Sequence, residues 1–345
     1  DVIGWRLFLR PLAVLFILVL YLAGERTALL LVGGVALLFL ILLSLGISVA
    51  PAFSGALLFS VFPLHFENVA WISGRTDLLS FLFAALSVLL LLKFLDKRSS
   101  SYLGLSAFFF LLSLLSKESA ILLPVIYGLV FLRKGLGPKK AFLAILPSGA
   151  VLAAWFILTR IASGPGGLEY SGRTLLDFFA AVGFYTARIV FPFRLSVTIN
   201  PVPVFKNAFY QVFGALLVAL FLVALFQALV RKTNKGRMSV VFGSYFLLLL
   251  PSVAAIFSAS TISFLAWRFL YLPSAIFVAG LVLVSFKVLK PKAVPFILVL
   301  AVLFIYGSEL YPKSKLYGNE EMAFWQGLRN IEREDVLAGC NIGIQ

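Results

Sequence analysis

The stretch DLLSFLFAALSVLLLLKFLDKR at 77–98 decides what kind of molecule this chain is. From Leu78 to Leu92 it carries no charge, and it ends on Lys93, Asp96, Lys97 and Arg98. With its flanks, such a run approaches the ~20 helical residues that cross a ~30 Å hydrocarbon core. The basic end reads as a cytoplasmic boundary, because Lys and Arg collect on that side of a membrane. Outward in both directions the same pattern recurs. Basic clusters follow at Arg133, Lys134, Lys139 and Lys140, at Arg231, Lys232, Lys235 and Arg237, and at Lys287, Lys290 and Lys292.

Composition agrees. Of 345 residues, 62% are hydrophobic and 12% charged, with mean hydropathy +1.07, where a soluble domain carries about a quarter charged residues. The net charge of +15 does not point to nucleic acid, since the basic residues sit in short clusters between apolar runs. One cysteine, Cys340, leaves no intrachain disulfide, and with one histidine it excludes a conventional zinc site. Residue 1 is Asp, with no signal peptide ahead of it. The true N-terminus is expected to lie upstream.

These signals predict an all-α, polytopic helical membrane protein of about ten segments. With the basic clusters inside, 27–46 runs inward and 50–64 outward, and an outer loop spans 65–77. Segment 77–95 runs in, 102–116 out and 119–132 back in after a tight turn at Ser116–Ser119. Then 141–160 runs out, 208–230 in, 238–257 out, 269–286 in and 293–308 out. Two stretches resist this parity. Residues 178–195, with Arg188, Pro192 and Arg194, read as a re-entrant or interfacial helix with both flanks outside. Residues 10–24 are expected along the outer surface. The membrane unit fills 1–308, and 309–345 forms an extracytoplasmic, water-facing tail holding six of the 14 acids.

Three charged clusters then fall on the outer face. They are His65, Glu67, Arg75 and Asp77; Lys117 and Glu118; and Arg268 with Tyr271. Charges at membrane depth cost several kcal/mol unless paired or wetted, so they mark a site by default. For any one residue, interfacial snorkelling or helix capping is the competing explanation. Acids beside Arg75, Lys117 and Arg268 suit an anionic ligand, because Arg offers phosphate a forked donor and Lys a point charge. Asp77 and Glu67 are candidate oxygen ligands for Mg²⁺ or Mn²⁺. The carboxylates could instead serve structural ion pairs, Glu118 with Lys117 being the favoured one.

The segment HFENVAWISGRTDLL at 65–79 resembles the H-x-x-E-x-V-x-x-x-x-G-R-x-[DE]-x-L signature of the transmembrane and tetratricopeptide-repeat protein O-mannosyltransferases, multi-spanning enzymes of the GT-C fold, with one residue in place of two between His65 and Glu67. Further matches keep the family's order. Arg10-Pro11-Leu12 resembles its Tyr-Arg-Pro-Leu, with Leu9 in place of Tyr. Ser116-Lys117-Glu118 resembles its Ser-Lys-Glu turn. Arg268-Phe269-Leu270-Tyr271-Leu272-Pro273-Ser274 resembles its Glu-Arg-x-Leu-Tyr-Leu-Pro-Ser, with Trp267 in place of Glu. Phe324 and Trp325, followed by Asn341 and Gly343, look like the entry to the family's first tetratricopeptide repeat, a ~34-residue helical hairpin.

The resemblance implies inverting transfer of a mannose-like sugar from a polyprenyl-phosphate donor to an acceptor hydroxyl on protein or glycan. The transfer would take place at the extracytoplasmic face of an inner or plasma membrane. Arg268, Arg75, Lys117 and Tyr271 would hold the donor phosphate, with His65, Glu67, Asp77 and Glu118 lining the acidic side. The family's general base is expected upstream of residue 1, with Asp1 a candidate remnant of its loop. Two other classes compete. A transporter or flippase of lipid-linked substrates predicts charges at the bilayer midplane and paired broken helices. A non-catalytic membrane scaffold is favoured by loss of the first-loop acid.

Thiol labelling of intact cells checks the orientation, in a Cys340→Ser background. Arg98→Cys and Lys235→Cys should be shielded from an impermeant reagent, whereas Tyr170→Cys and Lys315→Cys should react. The reverse pattern overturns the topology.

Overall fold

The computed structural model describes residues 25–71, 74–163, 171–193, 195, 199–230, 235–257, 265–289 and 293–317. Every regular element among them is helical. In chain order these are α1 (Glu25–Ser44), α2 (Val49–Ser60), α3 (Phe66–Ala70), α4 (Arg75–Lys97), α5 (Ser100–Ser116) and α6 (Leu123–Arg133). They continue as α7 (Pro138–Ser163), α8 (Leu175–Val190), α9 (Pro201–Phe205), α10 (Ala208–Val230), α11 (Lys235–Ala254), α12 (Tyr271–Val288) and α13 (Ala293–Tyr317). Single 3₁₀ turns at Pro63–His65, Glu118–Ala120, Ala255–Phe257 and Trp267–Leu270 join them.

Six helical stretches are long and apolar enough to cross a membrane, and a seventh follows if the bent pair Val49–Ser60 and Pro63–Ala70 is one span. Their outward surfaces support that placement. Helix α7 exposes Phe142, Phe156 and Ile161, and α10 exposes Phe209, Leu216 and Phe226. So much bare hydrocarbon would be a liability in water and is the expected coat in lipid. Lipid removes the solvent drive for helix association, so close packing and hydrogen bonds must hold the bundle.

Two devices do this. Ser80 and Ser87 on α4 face Ser113 and Ser106 on α5. Ser113 Oγ donates to the Ser80 carbonyl at 2.8 Å, Ser106 Oγ donates to the Ser87 carbonyl at 2.9 Å, and Ser87 Oγ returns a bond to the Ser106 carbonyl at 2.6 Å. Each serine pair is seven residues apart, two helical turns, so both rungs fall on one seam. Where α8 crosses α10, Gly183 and Gly214 meet backbone to backbone. An added Cβ on Gly214 would collide with the Phe179 carbonyl, and one on Gly183 with the Tyr210 carbonyl.

Phe39 of α1 packs on Phe53 of α2, Phe59 of α2 on Tyr271 of α12, and Phe221 of α10 on Phe246 of α11. Helix α8 starts beside the far end of α11, where Phe178 stacks on Phe257, and reaches Tyr245 through Thr186 at 3.0 Å. Arg173, before α8, lies over the Phe205 ring, before α10, at 4.6 Å. Both flanks of α8 therefore sit at one end of the bundle.

Two expectations change. The segment 65–77 is not an outer loop: a 3₁₀ turn, α3 and the start of α4 fold it into the protein, with His65, Glu67, Asn68 and Asp77 buried. Buried backbone must find hydrogen bonds, and short helical turns supply them locally. The boundary expected after residue 308 falls inside α13, which continues unbroken to Tyr317. Asp1, the 10–24 segment, the Arg10 motif and the repeat-like residues from Phe324 to Gly343 lie outside the described residues.

Gly214→Leu should lower the stability of the purified protein by about 2–3 kcal/mol or more through overpacking, read as thermal unfolding in detergent. Leu216→Ala, on the exposed face of the same helix, should leave it nearly unchanged.

Candidate functional site

The site is built around the Trp267–Leu270 turn that starts α12. Its backbone, with that of Ala266 just before it, is held by four side chains from three helices. The Glu67 carboxylate accepts from the Arg268 backbone N–H at 3.1 Å through Oε2, and Asn68 Nδ2 donates to the Arg268 carbonyl at 3.1 Å. Ser252 of α11 donates to the Phe269 carbonyl at 2.8 Å. On α8, the Tyr185 hydroxyl accepts from the Ala266 N–H at 3.0 Å and donates to the Ala266 carbonyl at 3.3 Å. One four-residue turn thus ties α3, α8 and α11 to α12.

Two ion pairs flank this turn. Arg268 Nη1 meets Glu67 Oε1 at 3.1 Å, so Glu67 grips both the side chain and the backbone of Arg268. Lys117 Nζ meets Asp77 Oδ2 at 2.6 Å. Both cations also lie over the Phe269 ring, Lys117 at 4.9 Å and Arg268 at 5.4 Å from its centre. Arg268 additionally stacks on Trp71 at 4.7 Å. The pairs are close enough for Glu67 to feel Lys117 and Asp77 to feel Arg268. Each carboxylate is almost fully enclosed, while Lys117 and Arg268 keep 14% and 17% of their side-chain surface open. The open edge of the cluster is therefore cationic.

Local sequence explains the geometry. Gly74 is required where the chain turns from α3 into α4, because an added Cβ would sit 2.6 Å from Asn68 Cα and 2.8 Å from the Glu67 carbonyl. That close approach lets α4 begin beside Glu67, with Asp77 in its first turn. The Ser116–Ser119 turn sets Lys117 in extended backbone at the end of α5, and Ser80 donates to the Lys117 carbonyl at 3.3 Å.

The structure gathers Glu67, Asp77, Lys117 and Arg268 into one cluster. Glu118 is exposed and makes no ion pair among the described residues; Lys117 pairs with Asp77 instead. The turn after α5 directs Lys117 toward α4, so adjacency in sequence does not become contact. Arg75 is half-buried at the start of α4, and its Nε has no hydrogen-bond partner. His65 and Tyr271 lie deeper, packed on each other at 4.3 Å and on Phe59, with His65 Nε2 bonded to Ser274 at 2.8 Å. Tyr271 is enclosed by rings and does not share the cationic edge.

Asp77 and Glu67 are each engaged by a different base, and no group of three or more His, Cys, Asp or Glu among the described residues could hold a metal ion. Asn68, Tyr185, Ser252 and Ser274 were not legible as site residues. Asn68 and Ser274 at least stood inside the 65–79 and 268–274 motifs, whereas Tyr185 and Ser252 stand in apolar stretches outside any motif. No family model, curated protein or solved structure matches the chain.

Breaking one partner of a buried ion pair strands the other charge and costs about 3–5 kcal/mol. Asp77→Asn and Lys117→Met should each destabilise strongly, and the double variant by much less than their sum. Thermal unfolding of all four proteins measures the coupling; additivity would mean that the pair does not form.

Proposed function

We propose that this protein is a GT-C-type membrane glycosyltransferase, moving a mannose-like sugar from a polyprenyl-phosphate donor to an acceptor hydroxyl, probed below on a peptide. The observation that carries this reading is the cationic edge at one end of an apolar bundle, formed by Arg268 and Lys117 above enclosed carboxylates. A lipid phosphate reaches such a place from the bilayer without crossing hydrocarbon. The motif resemblance at 65–79, 116–118 and 268–274 falls on the same residues, and the parity of apolar runs between basic clusters supports a ten-segment topology with this end extracytoplasmic.

In the transfer, the acceptor oxygen bonds to the sugar's anomeric carbon as the bond from that carbon to the phosphate oxygen breaks. The lipid phosphate leaves with the electron pair, and the hydroxyl proton passes to a carboxylate. Cations near the departing phosphate stabilise its growing charge. The geometry redistributes the roles expected from sequence. Arg268 holds the turn through Glu67, Trp71 and Phe269, so it positions the edge. Arg75, half-buried at the start of α4 and joined to no ion pair among the described residues, is the better candidate to meet phosphate. Glu67 and Asp77 serve the ion pairs, so neither is assigned as the proton acceptor.

The test is transfer by the purified protein from a polyprenyl-phosphate mannose to a Ser/Thr peptide. Arg75→Gln should unfold at the same temperature as the parent and transfer roughly ten- to a hundredfold more slowly, the loss of one charge-assisted contact. Arg268→Lys should both destabilise and slow transfer. Unaltered transfer by Arg75→Gln would remove it from the donor site, and no transfer by the parent, with or without added divalent ions, would favour the scaffold reading.

A further inference from the structure

At the opposite end of the bundle, the turns after α4 and α6 border an open groove of about 770 Å³ lined by Arg98, Gly135, Leu136, Gly137, Pro138, Lys139 and Lys140. Three of these seven residues are cationic and none is acidic. Arg98 arrives from a turn some forty residues before the contiguous 135–140 segment, so the fold adds its charge to the adjacent pair Lys139 and Lys140. Arg98 is held there in the left-handed region, at φ 56, the one non-glycine residue so placed among those described. Gly135 at φ 82 ends α6, and the Leu136 N–H returns to the Phe131 carbonyl at 3.0 Å, which buries Leu136 as the floor of the turn. Pro138 then opens α7, whose first turn holds Lys139 and Lys140 and no acid. Like charges at the positive end of a helix dipole disfavour the fold unless an anion offsets them. The nearest carboxylate along the chain, Asp96, is exposed and is not part of the lining.

One further feature selects the kind of anion. Phe142, Leu143 and Leu146 lie three, four and seven residues beyond Lys139, on the same face of α7. They are 63%, 52% and 46% exposed. The cationic groove therefore runs directly into an uncovered apolar strip on a helix long enough to cross a membrane.

We propose that this groove binds an anionic membrane phospholipid, with the headgroup phosphate between Arg98, Lys139 and Lys140 and an acyl chain along Phe142, Leu143 and Leu146. It is independent of the transferase reading and lies at the other end of the bundle from the Glu67–Arg268 cluster.

The full chain in neutral detergent is titrated with phosphatidylglycerol, phosphatidylcholine or inorganic phosphate, with unfolding temperature and native mass spectrometry as readouts. Phosphatidylglycerol should raise the unfolding temperature and be retained at one molecule per chain, while the other two ligands do neither at equal concentration. Lys139→Gln/Lys140→Gln should weaken this binding on the order of tenfold or more. Arg98→Asn, which preserves tolerance of the left-handed backbone, should weaken it in the same direction and covers the case in which the double variant does not fold. Lys93→Gln/Lys287→Gln removes equal charge elsewhere and should bind as the parent does. Equal weakening by that control would assign the effect to diffuse charge and overturn the site. Equal binding of phosphatidylcholine, or of free phosphate, would overturn the anionic-lipid assignment.

Discussion

A carboxylate enclosed among apolar helices must be met by a cation and by hydrogen bonds, or the fold cannot carry it. Glu67 satisfies that demand by gripping Arg268 twice, at the guanidinium and at the backbone N–H. Because Arg268 stands in the turn that begins α12, the grip fixes where α12 starts relative to α3 and α4. Asn68, Ser252 and Tyr185 then secure the same turn from α3, α11 and α8. Helices distant in sequence meet at one place because its polar groups have no water to turn to.

The rest of the bundle follows a related logic with weaker groups. Apolar packing inside lipid gains little from the solvent, so register between helices must come from shape and from sparse polar contacts. The serine rungs between α4 and α5 set that pair, and Ser87 extends the seam to α6 through the Tyr127 hydroxyl at 2.7 Å. The Gly183–Gly214 crossing sets α8 against α10 by allowing backbones to touch. These contacts are directional or steric, so they select one arrangement where leucine against leucine would accept many.

The two ends of the bundle differ in how charge is handled. At one, Lys117 and Arg268 are neutralised from below by Asp77 and Glu67 and held over Phe269, which keeps them ordered with an open edge. At the other, Arg98, Lys139 and Lys140 join no ion pair among the described residues. Paired charge gives fixed geometry, the requirement for positioning a reacting group. Unpaired charge beside an apolar strip gives a soft site suited to a headgroup.

The sequence by itself determined that the chain is helical and membrane-embedded, because long uncharged runs between basic clusters leave a backbone no alternative in lipid. It also determined which residues could form a polar site, since charges are so few that Glu67, Asp77, Lys117 and Arg268 stand out. Their partnerships were decided by tertiary structure alone. Lys117 adjoins Glu118 in the chain yet pairs with Asp77, forty positions away, because the end of α5 turns it toward α4. The 65–77 stretch read as a loop from its glycine and charges, but its position beneath the α12 turn folds it into short helices around Gly74. The seven-residue spacing of Ser80 and Ser87 and of Ser106 and Ser113 was visible in the chain, but the face each pair meets was not. Local sequence sets what a segment can become; which charge answers which depends on distances that only the packed helices establish.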